Sequence, residues 1–111
     1  MSVVYSFDFQ VGPSSTSTKE IKIIKGLVEP ILIETGSSQR KVQVQVQVDG
    51  NQVLPALAGG DASLYVTPPD VATPYPVNYR NVRDLAVVKV TAKNTDTLST
   101  FSVKVAITVT R

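Results

Sequence analysis

Arg40-Lys41-Val42-Gln43-Val44-Gln45-Val46-Gln47-Val48, followed by Asp49-Gly50-Asn51, is the stretch whose reading decides the fold. Valine and glutamine alternate through it without a break. A period of two scatters apolar residues all round a helix but gathers them on one face of a strand. Val42, Val44, Val46 and Val48 therefore face a core, and Gln43, Gln45 and Gln47 face away from it. Asp49-Gly50 then marks a hairpin, because a two-residue turn needs positive φ at both central positions and these residues tolerate it. That turn sets Gln47 opposite Gln52 and Val46 opposite Val53, polar against polar and apolar against apolar.

Working outward, the rest of the chain repeats this logic. Val3, Tyr5, Phe7 and Phe9 share one face of a strand, with Val4, Ser6 and Asp8 on the other. Residues 12–18 are a loop by composition. Glu20 to Lys25 is a short strand with Ile21 and Ile23 on one side. Its Lys19, Lys22 and Lys25 read as solvated lysines guarding a sheet edge, with an anion site as the alternative. Leu27 to Glu34 is a further strand, and Pro30 makes it an edge strand or a bulged pair. Residues 35–39 turn into the valine-glutamine strand. Beyond it Pro55 ends the returning strand, residues 57–61 turn, and residues 62–66 form a brief strand.

Residues 67–84 stand apart. Pro68, Pro69, Pro74 and Pro76 are interleaved or followed by Tyr75, Tyr79, Arg80 and Arg83. No period survives, and the segment reads as a long extended loop, an arm that docks on a partner or, alternatively, a lid whose tyrosines cover one open end of the sandwich. Leu85 to Lys93 is a strand, residues 94–97 a turn, and Leu98 to Arg111 the longest strand. Pairing these two as a hairpin puts Val90 opposite Phe101, Val88 opposite Val103 and Ala86 opposite Val105. Val87 then falls on the outer face without an apolar partner. The expected core is Val44, Val46, Val88, Val90, Phe101, Val103, Val105 and Ile107.

Seven or eight short strands and no helical segment make one all-β domain over residues 1–111. A single-domain antiparallel β-sandwich, jelly-roll or Ig-like, is the expected architecture, with a closed barrel as the alternative. A chain of 111 residues can bury one core without staples. There is no cysteine and no histidine, which removes thiol chemistry, the commonest general base and the commonest metal ligand. The net charge of +2 gives no strong steering toward nucleic acid or anionic lipid. The first residues lack the pattern of a secretory signal, and no apolar run is long enough to span a bilayer.

Catalysis is not expected, since no histidine is present to activate a serine or threonine. The carboxylates sit mostly at strand ends and turns, where aspartate has a local backbone role. Asp61, Asp70 and Asp84 on neighbouring loops are the one set that could offer oxygens to calcium. Gly59-Gly60-Asp61 reads as a turn, because a strand follows and a phosphate loop needs a helix. No cofactor and no metal are expected. The expected function is a non-catalytic structural or assembly subunit, a homo-oligomer or part of a larger protein assembly. Its expected contacts are the glutamine face, Gln43, Gln45 and Gln47, and the proline-tyrosine segment, with Tyr75, Tyr79, Arg80 and Arg83. A carbohydrate-binding module stacking sugars on Tyr75 and Tyr79 is the alternative. A nucleic-acid-binding or enzyme-accessory domain is the third class, and neither nucleic acid nor membrane is an expected partner. In composition alone, being cysteine-free and rich in threonine and valine, the chain resembles small accessory coat or attachment proteins of viruses and phages. That resemblance implies a virion setting.

Overall fold

The computed structural model describes residues 1–55 and 64–111. The turn expected at 57–61, the first half of the strand expected at 62–66, and Asp61 of the calcium set lie outside the described residues. The described residues form seven strands: β1 (Ser2–Val11), β2 (Thr16–Glu34), β3 (Val42–Val48), β4 (Asn51–Leu54), β5 (Thr73–Tyr75), β6 (Tyr79–Asn94) and β7 (Phe101–Thr110). No helix occurs among the described residues. All pairings are antiparallel. The order is β1-β7-β2-β6-β3-β4, with β5 added to β2. The ladders thus run through one continuous sheet, and the expected all-β antiparallel domain is what forms.

The β3–β4 hairpin turns where the sequence places it. Asp49 has φ 48° and Gly50 has φ 81°, the pair of positive values a two-residue turn requires. Gln47 meets Gln52 as expected, but Val46 meets Leu54 instead of Val53. A bulge intervenes, and it lets Gln52, Val53 and Leu54 all be buried in succession.

β2 holds the sheet together. It is one strand of 19 residues where the sequence suggests two. Its first half pairs with β6, and its second half pairs with β7 and, at Ile31–Ile33, with β5. The register slips between Ile24 and Gly26 on the β6 side, and between Val28 and Ile31 on the β7 side. Pro30 lies in the second slip, where its missing N–H costs no ladder bond. Gly26 lies at the first, with φ 151°. A Cβ there would stand 2.6 Å from Thr110 O and 3.0 Å from Val109 Cγ1. Only glycine lets β7 approach that closely.

Two sequence expectations are corrected. Residues 67–84 are not one long loop: they contain β5, and Tyr79 to Asp84 begin β6. Pro74 is tolerated because, among the described residues, β5 pairs with β2 alone, with Pro74 opposite Leu32. Nor do β6 and β7 form a hairpin. Val90 pairs with Val46 and Lys19, and Val103 pairs with Phe9. Alternation fixes which face of a strand is apolar but not which neighbour it takes, so the hairpin satisfied the pattern without being the fold.

The core lies on one face of this sheet. Every expected core residue is fully buried except Phe101, which is half-buried. Residues from the β1–β7 half and from the β6–β3 half belong to one apolar cluster. Trading Gly26 for alanine should cost about 2–4 kcal/mol, combining a strained φ with a backbone clash. A urea midpoint unchanged from the parent would show that β2 can cross over without glycine.

Candidate interaction surface

The outward face of β3 is less free than its sequence suggests. β3 is bonded to β6 along one edge and to β4 along the other, and beyond β4 Val44 exchanges two backbone bonds with Val66, each 2.9 Å. A strand so covered needs no charge to repel other chains, which accounts for the uncharged run between Lys41 and Asp49. Gln45 is only 7% exposed, and its Nε2 donates to Leu64 O at 3.0 Å. Gln43 and Gln47 are half-buried. The structure therefore takes Gln45 off the surface and leaves its two neighbours at it. Lys89 and Lys93 of β6 flank them, opposite Gln47 and Gln43, and the Lys93 ammonium lies 6.0 Å from the Tyr65 ring centre. Val87 is outward as expected, and its backbone N–H and C=O both bond Asp49, at 2.8 Å each, closing the hairpin onto β6.

The proline-tyrosine segment is docked on the body. Tyr75 in β5 and Tyr79 at the start of β6 are half-buried and pack against the core. Burial raises the Tyr75 hydroxyl above its usual phenol value, an effect opposed in part by the Arg40 charge. This is a cover over the core and not an extended arm. Arg80 remains exposed, and Arg83 Nη1 donates to Asp49 Oδ2 at 3.0 Å. The seven residues expected to make contacts thus fall into two groups, the glutamines on β3 and the tyrosines and arginines on β5 and β6.

Several carboxylates organise backbone. Asp70 Oδ2 accepts from Gln39 N at 3.1 Å, and its Oδ1 from Ser38 Oγ at 3.2 Å. These bonds pin a turn in which Gln39 and Arg40 both have positive φ. Asp96 Oδ1 accepts from Leu98 N at 2.8 Å and from Ser99 N at 3.2 Å, and Lys41 Nζ lies 3.3 Å from its other oxygen. The Leu98 amide first, then Lys41 and the Ser99 amide, hold its carboxyl below the usual carboxylate value, against some desolvation. Buried Asn94 ties the same connection down, donating to Val11 O, Gly12 O and Ser99 O. Asp84 pairs with Lys25 at 3.7 Å. Among the described residues no three acidic groups come together in a way that could hold a metal ion.

The lysine-guarded edge at residues 19–25 is where the sequence placed it, and the edge of β1 is what sequence reading missed. Among the described residues β1 pairs with β7 alone, and the first half of β2 pairs with β6 alone. The two open edges are linked by side chains. Tyr5 Oη accepts from Ile24 N at 3.2 Å, and Lys19 Nζ donates to Asp8 O while lying 5.5 Å from the Phe9 ring centre. The signal was present in composition. Residues 16–25 carry three lysines, whereas β1 carries no lysine, proline or glycine.

Comparison of the chain with protein-family models, curated proteins and solved structures gives no match. No helix among the described residues is long and apolar enough to cross a membrane.

Two outcomes follow from these contacts. Gln45→Lys should destabilise the subunit by about 1–3 kcal/mol, since it removes a buried donor and inserts a charge; equilibrium unfolding in urea measures this. The Asp96 carboxyl is more acidic folded than unfolded. Its stabilisation is therefore complete above the unfolded value of about 3.9 and is lost as pH falls through the lower folded value. Asp96→Asn should flatten the fall of melting temperature on acidification below that point, relative to the parent chain, and parallel curves would contradict the assignment.

Proposed function

We propose that the chain is a non-catalytic assembly subunit that binds copies of itself or a larger protein scaffold. The observation that supports this best is β1, a ten-residue strand with one edge unpaired among the described residues and no lysine, proline or glycine along it. An unpaired strand edge offers main-chain donors and acceptors to another chain. The absence of histidine and cysteine from the sequence, and the use of Asp49, Asp70 and Asp96 as backbone acceptors, fit the same reading. Of the expected contact residues, Arg80 and Arg83 are exposed, and Gln43 and Gln47 are half-buried at the surface. The setting we propose is a virion, as an accessory coat or attachment protein, on composition alone. Carbohydrate binding would require open ring faces on Tyr75 and Tyr79, and packing against the core weighs against it.

Size-exclusion chromatography with light scattering over a hundredfold concentration range tests the reading. A mass above the 11.9 kDa of one chain, falling on dilution, is expected. A single-chain mass throughout, with no scaffold present, would remove self-association from the proposal.

A further inference from the structure

Two open edges lie side by side, and they are guarded differently. The β2 edge carries Lys19, Lys22 and Lys25. Charged side chains of this kind deter a second strand from pairing. The β1 edge carries one charge, Asp8, toward its far end.

The ladder shows which groups β1 offers. Met1 O accepts from Arg111 N at 2.9 Å, so in the β1–β7 register the odd-numbered residues of β1 bond to β7. The N–H and C=O groups of Ser2, Val4, Ser6, Asp8 and Gln10 then point to the free edge. Lys19 Nζ takes Asp8 O, in agreement with this assignment. That amine stands at the far part of the edge and leaves Ser2 to Ser6 as its open window. No other described residue bonds the backbone of Ser2, Val4 or Ser6 on that side. Their side chains are exposed on the outer surface, Val4 to 60%.

We propose that two copies of the chain join through β1, antiparallel about a twofold axis, with Val4 opposite Val4 and Ser2 opposite Ser6. This rests on the assembly reading above and names the surface that carries it. The register follows from the window. Centring on Val4 pairs all of Ser2, Val4 and Ser6. Centring on Ser6 sets Val4 against Asp8, where the Lys19 amine already stands. Centring on Val3 leaves Ser6 unpaired. With Val4 at the centre, no charge faces a like charge, and the two exposed valines cover each other. A twofold contact of this kind closes on itself, because each copy uses the same patch. The β1–β7–β2 half of the sheet then continues into its counterpart.

The chain contains no cysteine, so single cysteines report the contact directly. In a hydrogen-bonded antiparallel pair facing Cα atoms lie about 5.5 Å apart, inside the disulfide range of about 4.4–6.8 Å. Val4→Cys should form a covalent dimer under mild oxidation about tenfold faster than Ser6→Cys alone, whose Cα atoms are several residues out of register. A mixture of Ser2→Cys and Ser6→Cys should cross-link between the two variants in preference to within either. Val4→Pro removes a donor from the free edge and none from the β7 ladder, and should shift the scattering mass to one chain with the melting temperature of the isolated subunit kept. If the parent chain associates but Val4→Cys shows no preference, or Val4→Pro leaves association intact, the β1 contact is wrong and the assembly reading stands on another surface. If the parent chain is a monomer at every concentration, the β1 contact is wrong and the assembly reading keeps only its scaffold-binding form.

Discussion

The fold depends on one strand changing partners. β2 begins against β6, and by Leu27 it is bonded to β7 as well. At that point the ordinary ladder is interrupted, and buried peptide groups left unbonded would each cost on the order of 1–3 kcal/mol. Ile24 shows how this is met. Its N–H donates to Tyr5 Oη, and its carbonyl accepts from Asn81 Nδ2 at 2.9 Å. Asn81 is buried, and its own oxygen accepts from Arg83 N at 3.0 Å. Glycine at 26 supplies the close approach, and two polar side chains supply the bonds that the crossing takes away.

Asn94 does the corresponding work at the opposite end of the sheet. It is buried beside apolar strands, yet its amide reaches three carbonyls and its oxygen accepts from Asp96 N. Residues 95–100 carry the chain from β6 to β7, and Asn94 fastens that connection to the end of β1. The buried polar residues thus mark the places where a strand ends or changes neighbours. They specify topology where the valines and isoleucines, which would pack in several arrangements, do not.

This division explains what could be read in advance. Alternation exposed the strands, their inward faces and the β3–β4 turn, because period two and an Asp-Gly pair are local signals. A β6–β7 hairpin satisfies alternation for the same reason that makes the other faces legible, yet β6 pairs with β2 and β3 and β7 with β1 and β2. Val88 and Val90 suit Val46 and Val48 as well as they suit Val103 and Phe101. The signal that separates these choices is Asn94, a polar residue in a buried position, whose partners lie 82 and 83 positions away for Gly12 and Val11. Four prolines in residues 67–84 leave open both an arm extended into solvent and a lid over one end of the sheet, and the tyrosines of β5 and β6 follow the second. Proline also suits a short edge strand lying along a larger sheet, and composition does not separate the two. Of the candidate contacts, Gln45 was lost to the interior because the strand alternates but the segment that covers it, at Leu64 to Val66, gives no sign of where it lies.

The β1–β7 ladder has a further meaning for the order of events in folding. It bonds Ser2 to Thr110, which are 108 positions apart. Among the described strands, β3 and β4 alone are bonded as neighbours in both sequence and space. Nearly every ladder therefore closes a long loop before it is rewarded, which places the chain among slowly folding topologies. During synthesis from the N-terminus, β1 waits for β7. Until then Phe7 and Phe9 lack the cover of Val105 and Val103, and both edges of β1 are open. Two growing chains on neighbouring ribosomes would each offer such a strand, with Asp8 within it and the lysines that follow on β2 as the charges that keep premature partners away.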